Sequence, residues 1–471
     1  MVGTGWGDRR FHRTDRRKGP VKCWRLVIHL FPASEGAMTV IQSTLLASSE
    51  ASVRRLENGL RIGLLTLPWA KTVSLGVWLE AGSQNETPGQ EGIAHFLEHM
   101  PFKGTKRRSG KAIAKAIDSL GGYCDAFTDK EVTCFYCQVL PDQVPEALTL
   151  LHELTTQPAI RAKDVETEKQ IILSEIQSVK DSPDDLVGEL FYEALWDGHP
   201  LSRPVLGTEQ SVQSMTPRLL LSFHKNFYTP DRMIVVGAGA IEEGSLEERV
   251  AEIFGRLRRN GAAGSLFAQP RGAGRIRLER RPTAQLYFCI GVPGLPTSDP
   301  RTYTLSLLDA IVGGGASSRL FLSVREKRGL AYSISSGATF FKEGGHFWIS
   351  GSCDAKKAEK VMKVIANELK RLCREGLRAG ELEAARTQLK LSAITVQESV
   401  LGSMMRLGRQ IYYFARPIPL SGILNRIDEV QDEDVLQMAH HLFLNSTFSA
   451  AFVGPVNESQ ADRLMAILNE G

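Results

Sequence analysis

Gly92-Ile-Ala-His-Phe-Leu-Glu-His-Met100 decides how the rest of the chain is read. His95, Glu98 and His99 spell H-x-x-E-H. On a helix, residues three and four apart share a face, so both imidazoles and the carboxylate would point at one spot. Two imidazoles suit a borderline-soft divalent ion such as zinc. A carboxylate one turn from the first histidine can hold a water beside such an ion and take its proton, the inverted order of the zincin motif. The competing reading is a buried amphipathic helix whose histidines are satisfied by their neighbours.

A two-histidine site needs at least one more protein ligand and an open position. The helical stretch Asp164 to Lys180 offers Glu166, Glu168 and Glu175. Glu168 and Glu175 are seven apart and share a face, so one can bind an ion while the other orients a ligand or the water. The alternative is a solvated acidic face partnered by Lys169 and Lys180.

Outward from the motif, Val53 to Leu65 reads as strand, Asn-Gly turn, strand. Thr72 to Leu79 alternates as a strand. Lys111 to Leu120 is a short helix closed by Gly121-Gly122. Val132 to Leu140 is a strand, Gln143 to Leu154 a helix, Met233 to Ala238 a buried strand and Glu247 to Leu257 a helix. Residues 260–273 are rich in glycine and alanine and read as a linker. A similar order follows, with strands at Gln285 to Val292 and Gly345 to Cys353, and helices at Tyr303 to Val312, Ala355 to Gly376 and Gly380 to Ser399. His224-Lys-Asn-Phe…Val236-Gly237 and His441-Leu-Phe-Leu…Val453-Gly454 lie 217 positions apart. We infer a duplicated unit of roughly 210 residues. The expected class is α+β, two homologous αβ domains of mostly antiparallel sheet with helices on one side, joined by the linker. The second copy is expected to carry its silent motif near Gly313 to Ser317, where no histidine stands.

With 471 residues, two cores are affordable. The net charge of +4 comes largely from the first ~25 residues, so no nucleic-acid face is expected. No apolar run reaches the ~18 residues of a membrane span. Residues 1–37 read as a disordered or non-native extension, the alternatives being an Arg-rich targeting segment or a true start at Met38. Seven cysteines, few and odd in number, favour reduced thiols and a cytoplasmic place. Cys134-Phe-Tyr-Cys137 lies in a strand-like run, where residues three apart face opposite ways; it reads as buried thiols rather than a redox pair or zinc knuckle.

Together the motifs resemble the pitrilysin, insulysin and mitochondrial-processing-peptidase family, in its two-domain bacterial form. They run from His95-Phe-Leu-Glu-His99 and Phe102-Lys-Gly-Thr105 through Gly121-Gly122, Ala126-Phe-Thr128, Glu168-x6-Glu175, Asp181-Ser-Pro-Asp-Asp185, His199-Pro200 and Leu206-Gly-Thr208. Gly313-Gly-Gly, Ser318-Arg-Leu320 and Arg325…Tyr332 complete the set. The resemblance covers about Leu56 to Leu468. It implies a zinc endopeptidase, one Zn2+ per chain, with His95, His99 and Glu175 as ligands, Glu98 as general base and Glu168 as the outer glutamate of the catalytic set. It implies a catalytic domain at 38–260 and an inactive homologous domain at 274–471. The latter carries Arg325 and Tyr332, which bind substrate and stabilise the tetrahedral intermediate. An edge strand with Asp125, Ala126 and Phe127 would pair with an extended peptide substrate. Half the length of the largest members, the chain is expected to form a homodimer whose active site is completed in trans. Alternatives are a non-catalytic peptide-binding or scaffold relative and one subunit of a hetero-oligomeric processing peptidase. Asp125 stands where the family commonly has Asn, and Pro101, directly after the motif, is expected to end the helix early.

Overall fold

A computed structural model of the chain describes residues 51–259 and 267–469. The extension expected at 1–37 and part of the expected linker lie outside them. Strands β1 (Ala51–Arg55) and β2 (Arg61–Thr66) form the expected hairpin, and Gly59 takes a φ of +93° in its turn. After β3 (Val73–Leu79) come α1 (Ile93–Lys103) and α2 (Gly110–Ser119). The hairpin β4 (Tyr123–Thr128) and β5 (Thr133–Val139) leads into α3 (Val144–Thr156), α4 (Ala162–Asp181) and α5 (Pro183–Leu195). Helices α6 (Glu209–Ser214) and α7 (Pro217–Phe227), strand β6 (Met233–Gly239) and helix α8 (Glu243–Phe254) end this half. The sheet order is β1-β2-β6-β3-β5-β4, with β2–β6 the one parallel pair.

The second half runs β7 (Ile276–Arg280), β8 (Leu286–Pro293), α9 (Thr302–Val312), β9 (Ala331–Phe340) and β10 (Gly345–Cys353). It continues with α10 (Ala358–Glu375), α11 (Glu381–Thr395), α12 (Val400–Phe414), α13 (Leu420–Glu429), α14 (Asp432–Phe443), β11 (Ser449–Gly454) and α15 (Glu458–Asn469). Its order, β7-β11-β8-β10-β9, repeats β2-β6-β3-β5-β4 without the extra hairpin strand. The chain is α+β, a duplication of one αβ unit. By place in the fold, the counterpart of α1 is α9. The silent motif therefore lies within Thr302–Val312, and residues 313–317 are the loop that follows it.

Each sheet packs its own helices on one face. Leu75, Val77, Phe135 and Val235 meet Phe96, Leu97, Leu148 and Ile172 in one core, and Phe288, Ile290 and Phe347 meet Leu308, Ile365 and Leu442 in the other. The opposite faces are closed by exchange. Helix α12, from the second half, lays Met404, Leu407 and Ile411 on Trp78, Ile234 and Val236 of the first sheet. Helix α5, from the first half, lays Val187, Phe191 and Leu195 on Cys289, Ala451 and Val453 of the second. Glycines bring these surfaces together: a Cβ on Gly63 would lie 2.1 Å from Ile411 Cδ1, and one on Gly408 would lie 2.4 Å from the Trp78 ring.

A buried carboxyl also joins the halves. Glu131, in the β4–β5 turn, accepts from the Lys342 amide at 2.8 Å and the Tyr413 hydroxyl at 2.5 Å. Burial pushes it up to about 7, against both bonds. A carboxyl raised on folding binds more protons folded than unfolded between pH ~4.5 and ~7. Its contribution is thus fully present below ~4.5 and lost as pH rises through ~7. Glu131→Gln cannot ionise, so its stability relative to wild type should improve between pH 5 and pH 8, by about 2–3 kcal/mol. Urea midpoints at the two pH values check this; a constant difference would contradict it.

The expectation of seven reduced thiols needs correction. Cys124 and Cys137 face each other across β4 and β5 and form a disulfide, while Cys134 points to the other face and stays a buried free thiol. Pro101 does not end its helix early either: α1 continues to Lys103. There Phe102 stacks near Phe135 and Lys103 pairs with Glu168, contacts that hold the last turn. Among the described residues no helix is long and apolar enough to cross a membrane.

Candidate metal centre

The start of α1 is built from outside the helix. Gly92, at φ +87°, precedes it, and a Cβ there would lie 2.5 Å from the Leu206 carbonyl oxygen. Gly207 fits against Glu91 in the same way, so the Leu206-Gly-Thr208 loop clamps the helix entrance. The buried Glu86 carboxylate accepts from the Gly92 amide at 2.9 Å and the Ala94 amide at 3.0 Å, satisfying helix-start donors that have no partner within the helix. Nothing in the sequence around Glu86 signalled this cap. The Asp181…Asp185 motif is also architectural: the Ser182 hydroxyl caps α5 and Pro183 opens it.

Helix α1 then presents His95 and His99, and α4 crosses it with Glu168 and Glu175. His95 Nε2 and His99 Nε2 are 3.3 Å apart, and Glu175 Oε2 lies 3.8 Å from the first and 3.9 Å from the second. Four-coordinate zinc with bonds of about 2.0–2.2 Å needs donors about 3.3–3.6 Å apart, so this triangle is close to one face of such a site. Glu175 Oε2 is buried with no hydrogen-bond partner, and burial beside His99 pushes His95 down to about 3, which keeps it a neutral donor. These residues fit a zinc ion.

The acidic-face alternative divides. Glu166 is an exposed partner of Lys169 at 2.7 Å, and Lys180 pairs with Glu209. Glu168 is buried instead. It lies 3.0 Å from His99 Nδ1 and pairs with Lys103; burial acts to raise its pKa, but these two partners hold it below the ordinary carboxylate range. It therefore fixes the His99 ring through the nitrogen that faces away from the donor triangle. Glu98, one turn after His95, accepts from Thr128 Oγ1 at 2.6 Å, and burial pushes it up to about 7 despite that bond.

Strand β4 is the open edge of its sheet. The Asp129 amide closes the hairpin on the Val132 carbonyl, so hydrogen-bonded pairs alternate back along β4 through Phe127 and Asp125. Cys124, Ala126 and Thr128 occupy the other pairs and turn their amides outward, in keeping with a Cα–Cα distance of 4.1 Å at Cys124–Cys137. The outward Ala126 amide is held by the Asp125 carboxylate at 2.9 Å, whose other oxygen takes the Tyr123 hydroxyl. Phe127 packs edge-on against Trp78. Arg325 lies in a π-helical turn, Phe321–Glu326, over the Phe321 ring, and Tyr332 on edge strand β9 is 76% exposed. Among the described residues neither makes a hydrogen bond or ion pair with the donor triangle.

Residues 62–209 match the family model described as Insulinase (Peptidase family M16), and residues 214–389 match the one described as Peptidase M16 inactive domain. An uncharacterized zinc protease of Streptomyces coelicolor is 36% identical over 425 residues, covering 88% of this chain and 92% of the relative. One from Bacillus subtilis is 35% identical over 399 residues, covering 85% and 97%. A solved structure titled peptidase M16 inactive domain, from Pseudomonas fluorescens, superimposes with a TM-score of 0.80 at 23% identity over 87% of this chain and 98% of that one. A protease from Helicobacter pylori gives 0.80 at 20% identity, covering 86% and 100%, which supports the fold alone. With both halves matched in order along one chain, and relatives of this identity spanning nearly its whole described length, the chain belongs to the insulinase family, peptidase family M16.

Proposed function

We propose that the chain is a zinc-dependent endopeptidase acting on peptides or unfolded polypeptide segments, with one Zn2+ per chain on His95, His99 and Glu175. The observation that carries this reading is the donor triangle with a sheltered carboxylate, Glu98, on the same helix face. A bound zinc ion supplies Lewis acidity toward a carbonyl oxygen and makes a nearby water easier to deprotonate. Glu98 accepts the proton of the attacking water and returns one to the leaving amine; a carboxyl held near 7 suits both at neutral pH. Glu168 keeps the His99 ring in register. The outward amide of Ala126 and its neighbours Asp125 and Phe127 align an extended peptide beside β4. The first-copy domain, 38–260, thus carries the chemistry, and the second, 274–471, supplies Arg325 and Tyr332. A cytoplasmic place has the four buried free thiols among the described residues in its favour and the Cys124–Cys137 bond against it.

The test is cleavage of a quenched peptide library by the purified chain, with metal content measured. Chelation should abolish cleavage and zinc should restore it. A chain that holds zinc and cleaves nothing would be a peptide-binding or scaffold relative, or a subunit that needs an unlike partner.

The exposure of Arg325 and Tyr332 favours completion of the site by a second copy. In a homodimer of this kind, equimolar Glu98→Gln and Arg325→Ala chains form mixed dimers with one intact site in two. Mixing two inactive variants should then restore up to about a quarter of wild-type activity. A monomer in sedimentation, or no recovery on mixing with subunit exchange verified, would reject it.

A further inference from the structure

One hydroxyl joins the edge strand to the candidate base. Thr128 ends β4 and faces Thr133 across the β4–β5 pair. The fully buried Thr133 hydroxyl donates to the Ala81 carbonyl at 2.7 Å, so its proton is committed there. Thr128 Oγ1 lies 3.2 Å from Thr133 Oγ1 and 2.6 Å from Glu98 Oε2. With the Thr133 proton on Ala81, the Thr128 hydroxyl donates to Glu98 Oε2 in a short bond. A β-branched side chain is stiff at χ1, and Thr128 is braced by its cross-strand neighbour; its hydroxyl position is therefore set by the strand. Among the described residues Thr128 is the sole hydrogen-bond partner of the Glu98 carboxylate. Thr128 also turns its own amide and carbonyl toward the open edge, by the same alternation that exposes Ala126.

We propose that Thr128 is a positioning residue, holding the Glu98 carboxylate at a fixed place relative to the edge on which a peptide pairs. Peptide backbone and proton acceptor are then referenced to one residue. A peptide that orders the end of β4 also orders the base. The proposal rests on the reading of Glu98 as proton acceptor and of β4 as the docking edge.

The test uses the full chain and one quenched peptide that wild type cleaves. Thr128→Val keeps the shape and removes the donor. A hydrogen bond to a charged group is worth enough that kcat should fall about 10- to 100-fold. KM, zinc content and the urea midpoint should stay as in wild type. Thr128→Ser should return kcat to within about threefold. Peptide Kd, measured in the Glu98→Gln background where there is no turnover, should be unchanged by adding Thr128→Val. If Thr128→Val stays within about twofold of wild type while Glu98→Gln is inactive, the base assignment stands and the positioning role is rejected. Equal losses in the valine and serine variants, or a loss that tracks weaker Kd or lower zinc, would make Thr128 a packing residue and also reject it. If wild type does not cleave, or Glu98→Gln cleaves as well as wild type, the underlying reading has failed and the proposal falls with it.

Discussion

Replacing Glu98 by glutamine should lower peptide cleavage by about 10²- to 10⁴-fold, the usual range for losing a general acid–base group, while zinc content is unchanged. Glutamine has the same length and still offers an oxygen to the Thr128 hydroxyl, so the local packing at 2.6 Å can survive. It cannot accept the proton of water at neutral pH. The donor triangle, His95, His99 and Glu175, is untouched. Single-turnover cleavage and metal analysis on the same preparations separate the two roles. A variant that keeps both metal and activity would move the base elsewhere, and Glu168, bound to His99 and Lys103, is poorly placed to replace it.

Cutting the chain within 260–266 and producing either piece alone should give protein that does not fold, whereas producing both together should give a soluble pair. The first piece would lose α12, whose Val400, Met404, Leu407, Ile411 and Tyr412 are all buried on its sheet. Each such side chain contributes about 1.5–3 kcal/mol on burial. Together they match the whole net stability of an average domain, about 5–15 kcal/mol. The second piece would lose α5, with Val187, Phe191 and Leu195, and Trp196 just after it. Far-UV circular dichroism and urea titration of each piece decide the matter. A cooperative transition for the first piece alone would show that the exchange is dispensable.

That exchange was not legible in the sequence. The spacing of apolar residues in α5 and α12 reveals a face that must be covered, but not which sheet covers it. Alternation in β3 and the spacing in α1 and α4 were readable because they are local. So were the histidine pair and the two glutamates one heptad apart. By spacing alone Glu166, Glu168 and Glu175 stayed open, and only the resemblance singled out Glu175 as ligand with Glu168 outside it; the crossing of α4 over α1 puts Glu166 on the surface, Glu168 on the His99 ring and Glu175 beside both imidazoles. The Cys124–Cys137 pairing depended on hairpin register, which a count of cysteines does not contain. Pro101 was misjudged because a proline's preference was weighed without Phe102 and Lys103, whose contacts keep the last helical turn. Arg325 and Tyr332 carry no local pattern at all; without a resemblance they read as a surface charge and a strand tyrosine.

The clasp of Asp125 on the Ala126 amide also bears on colloidal behaviour. A bare sheet edge is a template on which a second chain can extend the sheet, the first step toward fibrous aggregates. Here the middle one of the three outward donors, the Ala126 amide, is already occupied, and by a carboxylate, so two such edges approaching one another meet charge repulsion as well as a missing hydrogen bond. Any strand that pairs at Ala126 must first displace that carboxylate. The edge proposed above to dock peptides is thereby guarded against pairing with its own kind at high concentration.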